Sequence, residues 1–235
     1  YIYSIDNLQP VGPVLTPSDL EQMQQTNTLK SAADAIIPND PLYDQQWYIP
    51  AIKANLVWAQ TTGGSEQVIA ILDTGVDTEH PDLKNKIWQN PGEIPGNGID
   101  DDGNGLIDDV NGWDYINNDN DPKDDNSHGT HVAGIAAAET NNGIGIAGVN
   151  WQAKIMPLKV FQSSGRGDAS TISQGIIYAA NKGATAINMS FGSYARSITM
   201  ENALANAYAT SILVAAAGND GVDVDGCIPR GINFP

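Results

Sequence analysis

QVIAILDTG, residues 67–75, is an apolar run closed by a sharp polar turn, and it reads as a strand that ends at Asp73. From there the chain alternates. HGTHVAGIAAAE (128–139) predicts a helix rich in small residues, and KIMPLKVF (154–161) predicts a strand. DASTISQGIIYAANKG (168–183) predicts a helix with Ile172, Ile176, Ile177 and Ala180 on one face and Gly183 as its stop. AINMSFG (186–192) is a strand, SITMENALANAYATS (197–211) a helix and ILVAAAGN (212–219) a strand. Strands separated by helices of this length predict an α/β fold with a mostly parallel central sheet and right-handed crossovers. Functional groups gather at the carboxyl ends of such strands, here DTG, SFGS and AAGND.

The bulk properties narrow the function. A 235-residue chain with 41% hydrophobic residues can build one sizeable domain or two small ones. It has no apolar run long enough for a transmembrane helix. The opening YIYSIDNLQP lacks a signal peptide's basic and apolar regions; one could have been removed, because the chain does not begin at a methionine. Residues 1–37 read as an extension, linker or prodomain remnant, and PNDP (38–41) marks the boundary of the domain that runs to residue 235. Acidic residues number 28 against 11 basic, for a net charge of −17, which argues against a nucleic-acid partner. Between residues 98 and 126 stand ten aspartates and one lysine, interleaved with Gly, Asn and single apolar residues. That spacing points to carboxylates folded around a cation. The single Cys227 excludes a disulfide within the chain.

Three residues carry the candidate chemistry. Asp73 at a strand end could orient a histidine by accepting its Nδ1–H, or could simply cap a turn. His128 opens a helix with Asn126 or Ser127 as its cap; the positive end of a helix works against imidazolium, and a general base needs the neutral ring. His131, one turn on, could share a metal with His128, but there is no HExxH pattern and no third histidine nearby. Asn219 follows a strand of small residues, where its amide could donate to a developing oxyanion.

ILDTGVDTEHPDL (71–83), NSHGTHVAG (126–134), NMSFGS (188–193) and VAAAGN (214–219), in this order, closely resemble the subtilisin-like serine proteases, from about residue 38 to the end. The resemblance implies a three-layer fold with helices on both faces of the sheet, incomplete at its C-terminal end. It makes Asp73 the triad aspartate, His128 the general base and Asn219 the oxyanion donor. Ser190, Phe191 and Gly192 would pair with the substrate backbone, while Ala216, Ala217 and Gly218 would line the pocket for the residue before the scissile bond. His131 would be structural. The family's G-T-S-M-A segment has no counterpart here, so the nucleophile is expected beyond residue 235, on a continuous or nicked chain. The implied function is a secreted calcium-dependent serine endopeptidase acting on proteins or peptides; the alternative is a non-catalytic subtilase-like peptide-binding module.

The acidic stretch has its own logic. Asp100, Asp102 and Asn104 follow the spacing of an EF-hand-type loop, with Gly105 at the turn, Leu106 offering a carbonyl and Asp108 at position nine. Position twelve is Asn111 rather than glutamate, so Asp109 is the candidate last ligand. The resemblance implies two further calcium sites. One uses Asn142 with carbonyls of Thr140, Ile144 and Ile146, completed by Asp40 and Asp82. The other, similar to a site of the thermitase group, uses Asp114, Asp119 and Asp121. The GxGxxG at Gly143, Gly145 and Gly148 follows a helix and precedes a strand, the reverse of a dinucleotide fingerprint.

Overall fold

A computed structural model describes residues 35–192 and 196–219. Residues 1–34 of the expected extension and Cys227 lie outside those residues.

Two helical turns, α1 (Tyr48–Ala51) and α2 (Ala54–Val57), precede β1 (Val68–Asp73). A long loop region then carries the two-residue β2 (Trp113–Asp114). The order continues α3 (His128–Ala137), β3 (Lys154–Lys159), α4 (Ala169–Asn181), β4 (Ala186–Met189), α5 (Ile198–Ala207) and β5 (Ile212–Ala215). The five strands are parallel, in the order β2-β3-β1-β4-β5. The chain crosses from β3 over β1 to β4, so β1 lies beside the point where the direction of winding reverses. That is where an α/β sheet opens a crevice at its carboxyl edge.

Alternation along the strands builds the two faces. Ala70 and Leu72 of β1 join Met156 and Leu158 of β3 in a core with Ile172, Ile176 and Ala179 of α4 and Ala203 and Ala207 of α5. Ile71 and Ile155 face the other way, onto Ala133 and Ala137 of α3. Helices therefore cover both faces, α3 on one and α4 with α5 on the other.

Helix α4 differs in one respect from its sequence reading. Ile177 is 39% exposed, and Tyr178 takes the inner position beside Ile176 and Ala179. Asp168 caps its start by accepting from the N–H groups of Ser170 and Thr171. Gly183, at φ 76°, ends it, and the N–H of Ala184 bonds back to the Ala179 carbonyl.

Candidate active site

Asp73 is the last residue of β1 and is buried. Its Oδ1 accepts the Thr74 N–H at 2.7 Å and lies 2.7 Å from His128 Nδ1. Its Oδ2 is buried and has no hydrogen-bond partner among the described residues. His128 is the first residue of α3, and 52% of its side chain is exposed. Glycines allow this approach of helix to strand. A Cβ on Gly129 would fall 2.1 Å from the Gly75 carbonyl oxygen and 3.0 Å from the Asp73 Cβ. Gly75 turns at φ 105°, where a Cβ would sit 2.6 Å from the Pro122 carbonyl oxygen.

The start of α3 is capped differently from the sequence expectation. Ser127 occupies the N-cap position at φ 84° and makes no side-chain cap bond. The Asn126 side chain accepts from the His128 N–H at 3.3 Å. Most of the capping falls to Asp124. One of its oxygens accepts from the N–H groups of Asn126 and Ser127 and from the Thr74 hydroxyl; the other accepts both the N–H and the hydroxyl of Thr130. Burial pushes the Asp124 carboxyl up, but the bonds from Thr130, Asn126 and Ser127 outweigh it and hold the group below the ordinary carboxylate value. The Thr74 hydroxyl in turn accepts the Gly129 N–H at 3.1 Å. Lys159, buried at the end of β3, donates at 2.6 Å to the Thr74 carbonyl and at 2.6 Å to Asp125. Neither Asp124 nor Lys159 was singled out from sequence. The available signal was the carboxylate pair immediately before NSHGTH.

The remaining candidates lie along the same edge. Ser190, just past β4, accepts from the Asn188 amide at 2.9 Å. Phe191 packs its ring 4.9 Å from that of Phe161, and Gly192 is exposed. Ala216 extends the β4–β5 pairing through its N–H to the Met189 carbonyl. Ala216, Ala217, Gly218 and Asn219 are all exposed, and Gly218 turns at φ 82°. Because β1, β4 and β5 are neighbours, Asp73, the Ser190 segment and the segment that begins at Ala216 follow adjacent carboxyl ends of the sheet. His131 points elsewhere: with Asp77, His80 and Asp124 it lines a separate cavity of about 500 Å³.

The acidic loops divide into three. Asp40 and Asp82, both buried, face the loop that includes residues 140–146. Asp40 accepts the N–H groups of Asn141 and Asn142; Asp82 accepts the Asn142 amide and the Ile146 N–H. The Thr140 hydroxyl donates to the Ala138 carbonyl, and the Ile144 N–H bonds to the Asn142 side chain. The second loop folds on Asp100, whose two oxygens accept from Gly103, Asn104 and Gly105. Asp102 is bonded by Lys182 and by Asn90. Burial raises its carboxyl, but these donors prevail and hold it below the usual value. The Leu106 N–H closes on the Asn104 side chain. Asp108 turns away to the N–H groups of Asn97 and Gly98. Asp109 is fully buried and accepts from Asn90, Asn104 and the Tyr178 hydroxyl. Glu93, not singled out from sequence, comes to this loop from upstream: its Oε1 accepts the N–H groups of Asp101 and Asp102. In the third loop, Asp114 is buried and its carboxylate takes the N–H groups of Ile116 and Asn117 and the Asn117 amide. Asp119 pairs with Asp114 through the backbone, and both Asp119 and Asp121 are exposed.

The chain is similar to several known proteins. The family model described as "Subtilase family" matches residues 64–231. The chain is 39% identical over 222 residues to a thermophilic serine proteinase of Bacillus sp. (strain AK1), covering 94% of this chain and 49% of that protein. It is 40% identical over 186 residues to thermitase of Thermoactinomyces vulgaris, covering 78% of this chain and 58% of that one. Among solved structures, a protease from Pseudoalteromonas arctica PAMC 21717 superposes with a TM-score of 0.63 at 32% identity, covering 78% of this chain and 59% of that one. The chain spans about half the length of these relatives.

Proposed function

Because the chain belongs to the subtilase family, we propose that it forms part of a secreted, calcium-dependent serine endopeptidase whose triad combines Asp73 and His128 with a serine expected beyond residue 235. The observation that carries this reading is the 2.7 Å approach of Asp73 Oδ1 to His128 Nδ1 at the carboxyl end of the central strand. With Nδ1 held by Asp73, the ring presents Nε2 to the nucleophile. His128 takes the serine's proton as general base and returns it to the leaving amine. Asp73 fixes the tautomer and stabilises the imidazolium that forms between those steps.

Asn219 and the serine's own N–H would donate to the oxyanion of the tetrahedral intermediate. Substrate would lie as an added strand along Ser190–Gly192, its side chain entering between Ala216, Ala217 and Gly218. The small, exposed residues Gly192 and Ala216, Ala217 and Gly218 suit a peptide that approaches closely. Calcium would be held by Asp40, Asp82 and the 140–146 loop, and by the loop built on Asp100 and Asp102. It would supply charge neutralisation and a cross-link, and no part in the bond-breaking. The third loop is the weakest fit, since the donors of Ile116 and Asn117 already occupy the Asp114 carboxylate.

Labelling of the full-length protein with a fluorophosphonate tests the reading. The wild type is expected to take the label, and His128→Ala is expected to lose at least about 10⁴-fold in kcat with little change in KM. Absence of label on a folded wild type would sink the protease assignment.

A further inference from the structure

The acidic loop contains a buried oxygen with no partner among the described residues. Glu93 is 8% exposed. Its Oε1 accepts from Asp101 and Asp102, but its Oε2 is buried and has no partner among the described residues. A buried carboxylate oxygen left unpaired is costly and calls for a cation or a donor. The same side chain belongs to the one group of three acidic residues, among those described, whose ligand atoms all lie within 4.8 Å of one another: Glu93, Asp100 and Asp102. Oxygens this close can share one calcium ion, which sits roughly 2.4 Å from each of its ligands. We infer that Glu93 is a direct ligand of a calcium ion held with Asp100 and Asp102, and that it does the work an EF-hand loop assigns to its twelfth residue.

The geometry explains why the ligand comes from upstream. Position twelve is Asn111. Asp108 is committed to the N–H groups of Asn97 and Gly98, and Asp109 to Tyr178, Asn90 and Asn104. Neither aspartate belongs to the cluster that Glu93 forms with Asp100 and Asp102. The Asn90 N–H bonds to the Val110 carbonyl, which fixes the turn carrying Glu93 against the far end of the loop. Lys182 on Asp102 supplies one positive charge, and the surplus that three carboxylates leave is of the size a divalent cation carries.

This inference deepens the calcium reading of the same loop, and one titration separates the two. Chelator-stripped full-length protein is titrated calorimetrically with calcium as wild type, Glu93→Gln and the neighbouring exposed Asp101→Asn. Glu93→Gln is expected to weaken one site at least roughly tenfold, while Asp101→Asn shifts it less than about threefold. In EGTA, thermal melting is expected to show Glu93→Gln as stable as wild type or more so, because an unpaired buried charge is gone, yet with a smaller gain on adding calcium. A purely structural Glu93 would instead lower the melting temperature in EGTA and leave calcium affinity alone. Unchanged affinity and stoichiometry in Glu93→Gln overturn the assignment while the calcium loop stands. A wild type that binds no calcium overturns both.

Discussion

Gly129 leaves room for the close approach of α3 that brings His128 to Asp73. With a Cβ forced to 2.1 Å from the Gly75 carbonyl, Gly129→Ala has to lift α3 off the end of β1. The expected cost is about 2–4 kcal/mol in stability, read by denaturant unfolding, with a loss of kcat larger than that of stability at permissive temperature. Asp124 sets the other half of the geometry. Its folded carboxyl titrates below its ordinary value of 3.8, so its contribution is fully present above 3.8 and is lost as pH falls through the lower folded value. Asp124→Asn should therefore lose about 1–2 kcal/mol at pH 7 and show a shallower acid limb in a stability–pH profile. Asp73 and His128 could be found in the sequence because each sits in a short motif at a predicted element boundary. For Asp124 the only local signal is the carboxylate pair before NSHGTH; its bond from the Thr74 hydroxyl, fifty residues away, leaves no local pattern.

At the scale of elements, the alternation of apolar strands and small-residue helices was enough to predict β1, β3, β4, β5 and the three long helices. Three features escaped. A two-residue strand such as β2 is too short to show a period, and α1 and α2 are single turns held by packing around Ile49, Trp58 and Ala147. On α4, hydrophobicity placed Ile177 inward, whereas the core accepts the larger Tyr178 because its hydroxyl has a destination in Asp109. That bond ties α4 to the acidic loop across 69 residues. Desolvation and the Asp109 carboxylate together hold the Tyr178 phenol well above its ordinary value, so it remains a donor at any working pH. Tyr178→Phe leaves buried Asp109 short of a donor. It is expected to destabilise the protein by about 1–3 kcal/mol in chemical denaturation and to reduce the stabilisation that calcium provides.

For the molecule as a whole, a net charge of −17 concentrated in loops means that self-repulsion and ion binding oppose each other. Removing calcium with excess EDTA is expected to lower the melting temperature by several degrees at least, a mass-action effect that scanning calorimetry reads directly. An unchanged melting curve would count against every calcium site named above. Composition made the charge and its clustering visible, but not which carboxylates are already spent on backbone donors. That distinction, on which the proposal for Glu93 rests, exists only once the chain has folded.

The loop at 140–146 also holds the chain's early segment. Asp40 reaches across 101 residues to Asn141, the Leu42 N–H bonds to the Gly145 carbonyl, and Gln46 is bonded to Ala147 across a similar span. Few covalent neighbours help these ties re-form once they part, so closing them again means closing a loop of that length. Resistance to proteolysis is then expected to depend on how often this seam opens. Among the described residues, the first cut by an added protease should fall near residues 38–46, and the survival time should lengthen with calcium even under conditions where global stability is already ample.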